Sequence, residues 1–148
     1  MPSYRHILPI DADPETVFAI LDDTSSTPAW LDRCTGIDRI DDGPNEVGTR
    51  LRYHYRDPGR TGEMDGRITV RDPNRHLAMQ YADRLTDVTV DFRTEPLGDG
   101  TRLVHTVEVR PHGLGRLLTP VIAHRLPRQT DPSLANLKRL AEARHDHG

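Results

Sequence analysis

Thr49-Arg50-Leu51-Arg52-Tyr53-His54-Tyr55-Arg56 puts every second side chain on one face and the charged or basic ones on the other. That period of two is the signature of a half-buried strand, and it persists through most of Gly48 to Arg110. Met64, Gly66, Ile68 and Val70 alternate with Glu63, Asp65, Arg67 and Arg71. Leu77, Met79 and Tyr81 form a third set. Val88, Val90 and Phe92 oppose Asp87, Thr89, Asp91 and Arg93, and Leu103, His105, Val107 and Val109 oppose Arg102, Thr106, Glu108 and Arg110. Turn-forming residues separate these runs: Asp57-Pro58-Gly59, Asp72-Pro73-Asn74 and Gly98-Asp99-Gly100. Short spacers between alternating runs predict hairpins, hence an antiparallel meander with one dry and one wet face. The wet face mixes arginine with aspartate and glutamate, which favours pairing register and adds little stability.

The period changes on either side. Tyr4 to Ile10 is a short strand, and Asp13-Pro14 is a helix cap with proline in the first turn, followed by Val17, Phe18 and Leu21 on one helical face. Asp22 to Ser26 breaks that helix. Thr27-Pro28 repeats the capping device and opens a second short helix with Trp30 and Leu31. Downstream, Leu114, Leu117, Leu118, Val121, Ile122 and Leu126 recur at helical spacing, as do Leu134, Leu137, Leu140 and Ala141 after a third cap, Asp131-Pro132. One straight helix from Gly113 to Arg144 would run roughly 48 Å, longer than a globule about 38 Å across. With Pro120 and Pro127 removing backbone donors, the pattern predicts an interrupted element, most regular over Pro132 to Ala143.

Composition narrows the function. The chain has 148 residues, 34% of them hydrophobic, which suits one domain over 1–148 with a short disordered tail. Its formal charge of −3 gives no overall field toward nucleic acid or anionic lipid. No run of 18 apolar residues is present, so no membrane insertion is expected, and Met1 to Ile10 lacks the apolar stretch of a signal peptide. Cys34 is the sole cysteine, which predicts a fold without disulfides, an inert thiol and a cytoplasmic location.

Strand, two short helices, meander and C-terminal helix, in this order, resemble the helix-grip fold. The strings Ile10-Asp11-Ala12-Asp13-Pro14-Glu15-Thr16-Val17-Phe18, Trp30-Leu31, Gly48-Thr49-Arg50-Leu51, Gly100-Thr101-Arg102-Leu103-Val104 and Ser133-Leu134-Ala135-Asn136-Leu137-Lys138-Arg139-Leu140 look like the polyketide cyclase/dehydrase and lipid-transport superfamily (SRPBCC, START-like), related to the birch-pollen allergen. The resemblance implies an α+β fold in which a curved antiparallel sheet of about six to seven strands wraps a long C-terminal helix. It also implies a pocket between sheet and helix that takes lipids, polyketides or other apolar molecules. The prolines at 120 and 127 and the 5% aromatic content depart from the family's pattern.

In the phase set by the alternation, the dry face presents Tyr53, Tyr55, Met64, Met79, Tyr81, Phe92 and His105, with His6 from the first strand. Trp30, Leu118 and Ile122 join them as ligand-binding candidates, and Leu117, Val121 and Leu126 complete the opposite wall. Tyrosines and histidines in an apolar lining are the usual pattern of a small-molecule pocket. The competing reading is a set of core residues with satisfied polar tips. His105 is the candidate catalytic residue, because an inward imidazole titrates near neutrality, and His6 is its expected neighbour. Against that stands a neutral core histidine bonded to a hydroxyl or carbonyl. Two histidines without an inward acid or cysteine are an incomplete ligand set, so no metal and no cofactor are expected, and His145-Asp146-His147 reads as solvated tail. A bulge before Met64 would instead turn Glu63, Asp65 and Arg67 inward. Three functions follow: a carrier of a small apolar molecule, a cyclase or dehydratase using His105 with Tyr53 or Tyr55, or a partner-binding module using the arginines Arg50, Arg52 and Arg56. A homodimer is left open.

Overall fold

The fold was taken from a computed structural model that describes residues 2–57 and 59–147. Seven strands, β1 (Ser3–Ile10), β2 (Cys34–Arg39), β3 (Arg50–Asp57), β4 (Arg60–Asp72), β5 (His76–Ala82), β6 (Thr86–Leu97) and β7 (Gly100–Pro111), form one antiparallel sheet in the order β1-β7-β6-β5-β4-β3-β2. Consecutive strands from β2 to β7 are neighbours, as the short turns predict, and β1 closes the other edge by pairing with β7. Pro58, in the β3–β4 turn, lies outside the described residues.

β2 has no counterpart among the alternating runs. Its residues, Cys-Thr-Gly-Ile-Asp-Arg, do not alternate, and its register against β3 shifts between Cys34 and Gly36. A bulge resets the phase of a strand, which hides it from a period-two reading. The second bulge lies between Ile68 and Val70, not before Met64. Met64 is therefore buried while Glu63 and Asp65 stay exposed, which removes the inward acid pair.

The helix α1 (Pro14–Asp22) starts as its sequence predicts, with the Asp13 carboxylate accepting from the Thr16 amide at 2.8 Å. The second cap is different. Thr27 is the first residue of the four-residue α2 (Thr27–Trp30) and is itself buried, while Ser26 at the cap makes no side-chain bond to the helix. Instead, Asp23 caps a 3-10 turn over Thr24–Ser26 that leads into α2.

The largest correction concerns the C-terminal element. A 3-10 segment, Gly113–Leu118, runs into one continuous 29-residue helix, α3 (Thr119–His147), with Pro127 and Pro132 inside it. The acceptors these prolines deprive are the carbonyls of Ala123 and Arg128, both on exposed residues where water supplies the bond. Asp131 is thus a mid-helix residue and not a cap. The helix extends to His147, so the residues read as a tail belong to it. Its length, about 43 Å at 1.5 Å per residue, is accommodated because the leading end overhangs the sheet, with Val121 exposed.

From Leu126 onward α3 buries one stripe: Leu126, Thr130, Ser133, Leu134, Leu137 and Ala141. Leu134 and Leu137 meet Ile10, Val17, Ile20, Leu51, Ile68, Leu77 and Leu103 in a fully buried cluster. β1 is tied to the helix by polar contacts as well. Asp131 Oδ1 accepts from the Tyr4 hydroxyl at 2.6 Å and lies 3.0 Å from His6 Nδ1, and Lys138 Nζ donates to the Pro9 carbonyl at 2.7 Å.

Candidate functional site

Beyond the buried cluster the inward side chains change from aliphatic to aromatic, thioether and imidazole, and sheet and helix part. The space left is a cavity of about 440 Å³. Its sheet wall carries Tyr53, Met64, Met79, Tyr81, Phe92 and His105, together with the half-buried Val88, Val90 and Val107. Trp30 closes one side, and α3 contributes Leu126, Thr130, Ser133 and Leu134. A smaller adjoining space of about 340 Å³ shares Arg33, Asp57, Met64 and Leu126 with it. Tyr55, Leu118 and Ile122, expected in the main lining, border this second space, with Val121. Leu117 faces solvent, because the overhang carries it past the sheet.

The rings are ordered by the strand register. Tyr53 lies between Tyr55 and Tyr81, at centroid distances of 6.1 and 5.3 Å. Tyr81 lies flat on β4 because Gly66 stands opposite it; a Cβ at that position would run into the Tyr81 ring. Phe92 is stacked on His105 at 4.4 Å and meets Trp30 edge-on at 6.1 Å, so Trp30 and His105 flank one phenyl ring.

His105 is buried, and Cα pairing sets it directly across from His6, as expected of the first and last strands. His6 nevertheless serves the Asp131 contact on α3 and does not line the cavity. His105 Nδ1 faces the Asp91 carbonyl at 3.3 Å. A carbonyl only accepts, so Nδ1 carries the proton and Nε2 holds a free lone pair. Burial lowers the imidazole pKa to about 4, and the bond to Asp91 only partly offsets it. At neutral pH this side chain is an uncharged acceptor and a weak base.

Trp30 supplies the complementary group. It is buried, and its indole Nε1–H has no hydrogen-bond partner among the described residues. An indole N–H only donates, so an unmatched donor on Trp30 and the His105 acceptor lie on either side of Phe92. The phenols of Tyr53 and Tyr81 are pushed up by burial and stay protonated, Tyr81 donating weakly to Met79 Sδ at 3.5 Å.

Reading for alternation missed one pair altogether. Arg33 Nε and Nη2 donate to Asp57 Oδ1 and Oδ2 at 2.8 and 3.1 Å, with the guanidinium 4.2 Å over the Tyr55 ring. Burial opposes the Arg33 charge, but the bonds it donates to Asp57 outweigh that and keep the arginine ionised. Arg33 precedes the β2 bulge, and Asp57 ends β3 although Asp57-Pro58-Gly59 reads as a turn, so neither stands out in an alternating run. Cys34 is buried and its thiol is pushed up by burial to about 11, consistent with an inert thiol.

On the outer face, Arg50 pairs with Asp41 at 2.7 Å, Arg52 lies 3.5 Å from Asp65, and His54 lies 2.8 Å from Asp38. Two of the three arginines of the expected basic stripe, Arg50 and Arg52, thus have carboxylate partners, while Arg56 borders the cavity. Among the described residues no group of three His, Cys, Asp or Glu side chains is placed to hold a metal ion. Among the described residues no helix is long and apolar enough to cross a membrane.

Comparison with known proteins agrees with this architecture. TTHA0849 from Thermus thermophilus superposes with a TM-score of 0.80 at 19% identity, over 97% of this chain and 99% of that one. An aromatase/cyclase, Zhui, from a Streptomyces species gives 0.74 at 14% identity, over 97% and 93%. A START superfamily protein from Mycobacterium smegmatis gives 0.70 at 18% identity, over 98% and 97%. At these identities the likeness is one of fold. None of the curated proteins matches the chain in sequence. Residues 1–142, however, match the family described as polyketide cyclase / dehydrase and lipid transport. The chain is a member of that family and has its helix-grip fold.

Proposed function

We propose that this protein binds one small, mostly apolar molecule between the sheet and α3. Trp30 Nε1 would donate to an acceptor on the ligand, and His105 Nε2 would accept from a hydroxyl or amine. Tyr53, Met64, Met79, Tyr81 and Phe92 form the apolar walls, with Tyr55, Leu118 and Ile122 at the adjoining mouth. The observation that carries this reading is the largely apolar cavity of about 440 Å³ between sheet and α3, lined by tyrosine, thioether, phenyl and imidazole side chains. A buried donor left unmatched costs about 1–3 kcal/mol, which a ligand acceptor would return. Family membership is consistent with it, since that family covers lipid transport as well as cyclase and dehydrase activities.

The test is native mass spectrometry of protein purified from its source, before and after exposure to lipid and polyketide extracts. The reading expects a bound species of small mass in one-to-one ratio. Protein that carries nothing and takes up nothing from either extract would overturn it.

A cyclase or dehydratase reading draws on the same groups, with protonated Tyr53 polarising a carbonyl and His105 accepting a proton. An imidazole with a pKa of about 4 is a poor base at neutral pH, so binding is favoured over proton transfer. Turnover of an aromatic-forming polyketide that is lost in His105→Gln, with an unchanged melting temperature, would reverse that order.

A further inference from the structure

From Val109 to Thr130 the chain contains no Asp or Glu, against four arginines and two histidines. The formal charge of −3 conceals this concentration of positive charge. The stretch covers the end of β7, the 3-10 segment and the overhanging start of α3. The same overhang holds the most exposed leucines of the chain: Leu114 and Leu117 are each 79% exposed, and Leu118 and Val121 also face solvent. Arg116, Arg125 and Arg128 are exposed among them and form no salt bridge with any described residue. Two acids of the adjoining β5–β6 hairpin are engaged by other groups. Asp87 lies 3.7 Å from His112, and Asp83 accepts the amides of Leu85 and Thr86. The segment is firmly placed, because His112 N–H donates to the Leu85 carbonyl at 2.8 Å and Gly115 lies so close to that carbonyl that no Cβ fits.

We infer that this tip docks on an anionic phospholipid surface. Leucines standing clear of the body enter the headgroup boundary, and the unpaired arginines meet lipid phosphates. A protein partner would need a pocket for each leucine, whereas a fluid bilayer accepts them without one. The smaller cavity opens beside the patch, since Leu118 and Val121 belong to both, so a docked molecule would present that opening to the lipid. Docking goes beyond the proposed ligand binding and does not depend on it: Leu114 and Leu117 line neither cavity.

Tag-free protein should co-float with vesicles of phosphatidylcholine containing roughly a third phosphatidylglycerol, and at least about tenfold less with phosphatidylcholine alone. Raising salt from about 0.1 to 0.5 M should weaken the association. Leu114→Ser/Leu117→Ser should lose at least about tenfold in vesicle affinity with its melting temperature unchanged, because both side chains are already in water. Arg116→Glu/Arg125→Glu should lose more than about tenfold on anionic vesicles only. Failure to bind anionic vesicles, or binding that survives both double substitutions, would overturn the inference; capture of an acidic protein without vesicle binding would do the same.

Discussion

The two ends of the space between sheet and helix are built from the same strands yet pack differently. At one end Leu51, Ile68, Leu77 and Leu103 meet Leu134 and Leu137 with essentially no exposure. One or two inward positions along, the same strands carry Tyr53, Met64, Met79, Tyr81 and His105, and a cavity replaces contact. Aliphatic side chains interdigitate to the density of a crystal. Flat rings stacked along a sheet cannot reach the helix, and their polar tips need partners that aliphatic neighbours lack. The division separates inward residues that pack from inward residues that leave space on one hydrophobic face, and the proposed function draws on the second set.

That division can be broken most forcefully at the packed end. Leu137→Ala should cost about 2–5 kcal/mol, because the surroundings are too tight to collapse into the void. Val88→Ala, bordering the cavity, should cost only about 1 kcal/mol. Urea unfolding with coincident probes measures both, and equal losses would erase the distinction.

Next in size is the response to acid. His105 protonates at about 4 when folded and near the ordinary imidazole value of 6.5 when unfolded, so between those values the unfolded chain binds the extra proton. Its contribution is constant above 6.5, falls as pH drops through the window, and levels off below 4. The loss is about 3 kcal/mol at most. His105→Phe, which keeps the stack on Phe92, should flatten this part of the stability curve, leaving the carboxylate losses of Asp13, Asp23 and Asp41 at lower pH. An unchanged slope between 6.5 and 4 would place the titration elsewhere.

Gly66→Ala should cost about 1–3 kcal/mol, since the new methyl group displaces the Tyr81 ring. The displaced ring should also reshape the cavity, which ligand affinity would register. Smallest in stability is Val90→Phe, which fills cavity space and should shift stability by no more than about 1 kcal/mol.

Much of this was legible from residue order. The period of two identified the dry faces of β3 to β7, and the inward phase of Tyr53, Met64, Tyr81, Phe92 and His105 followed directly. What escaped has physical causes. The bulge in β2 scrambled its alternation, and with it the position of Arg33. Prolines read locally as breaks, yet the residues whose carbonyls they deprive are exposed, so a continuous helix tolerates them. Asp-Pro at 131–132 imitates a cap locally, whereas its carboxylate answers Tyr4 and His6, more than 120 residues away. Such contacts depend on which element lies opposite, and no local pattern encodes that.

The cavity itself is tested most directly through Trp30, the only tryptophan in the chain and part of the lining. Titration with N-phenyl-1-naphthylamine, a neutral apolar probe with one N–H donor, should quench Trp30 saturably at one-to-one stoichiometry, and Val90→Phe should abolish the quench while remaining folded. Saturation absent in the parent chain, or undiminished in Val90→Phe, would contradict ligand binding between the sheet and α3.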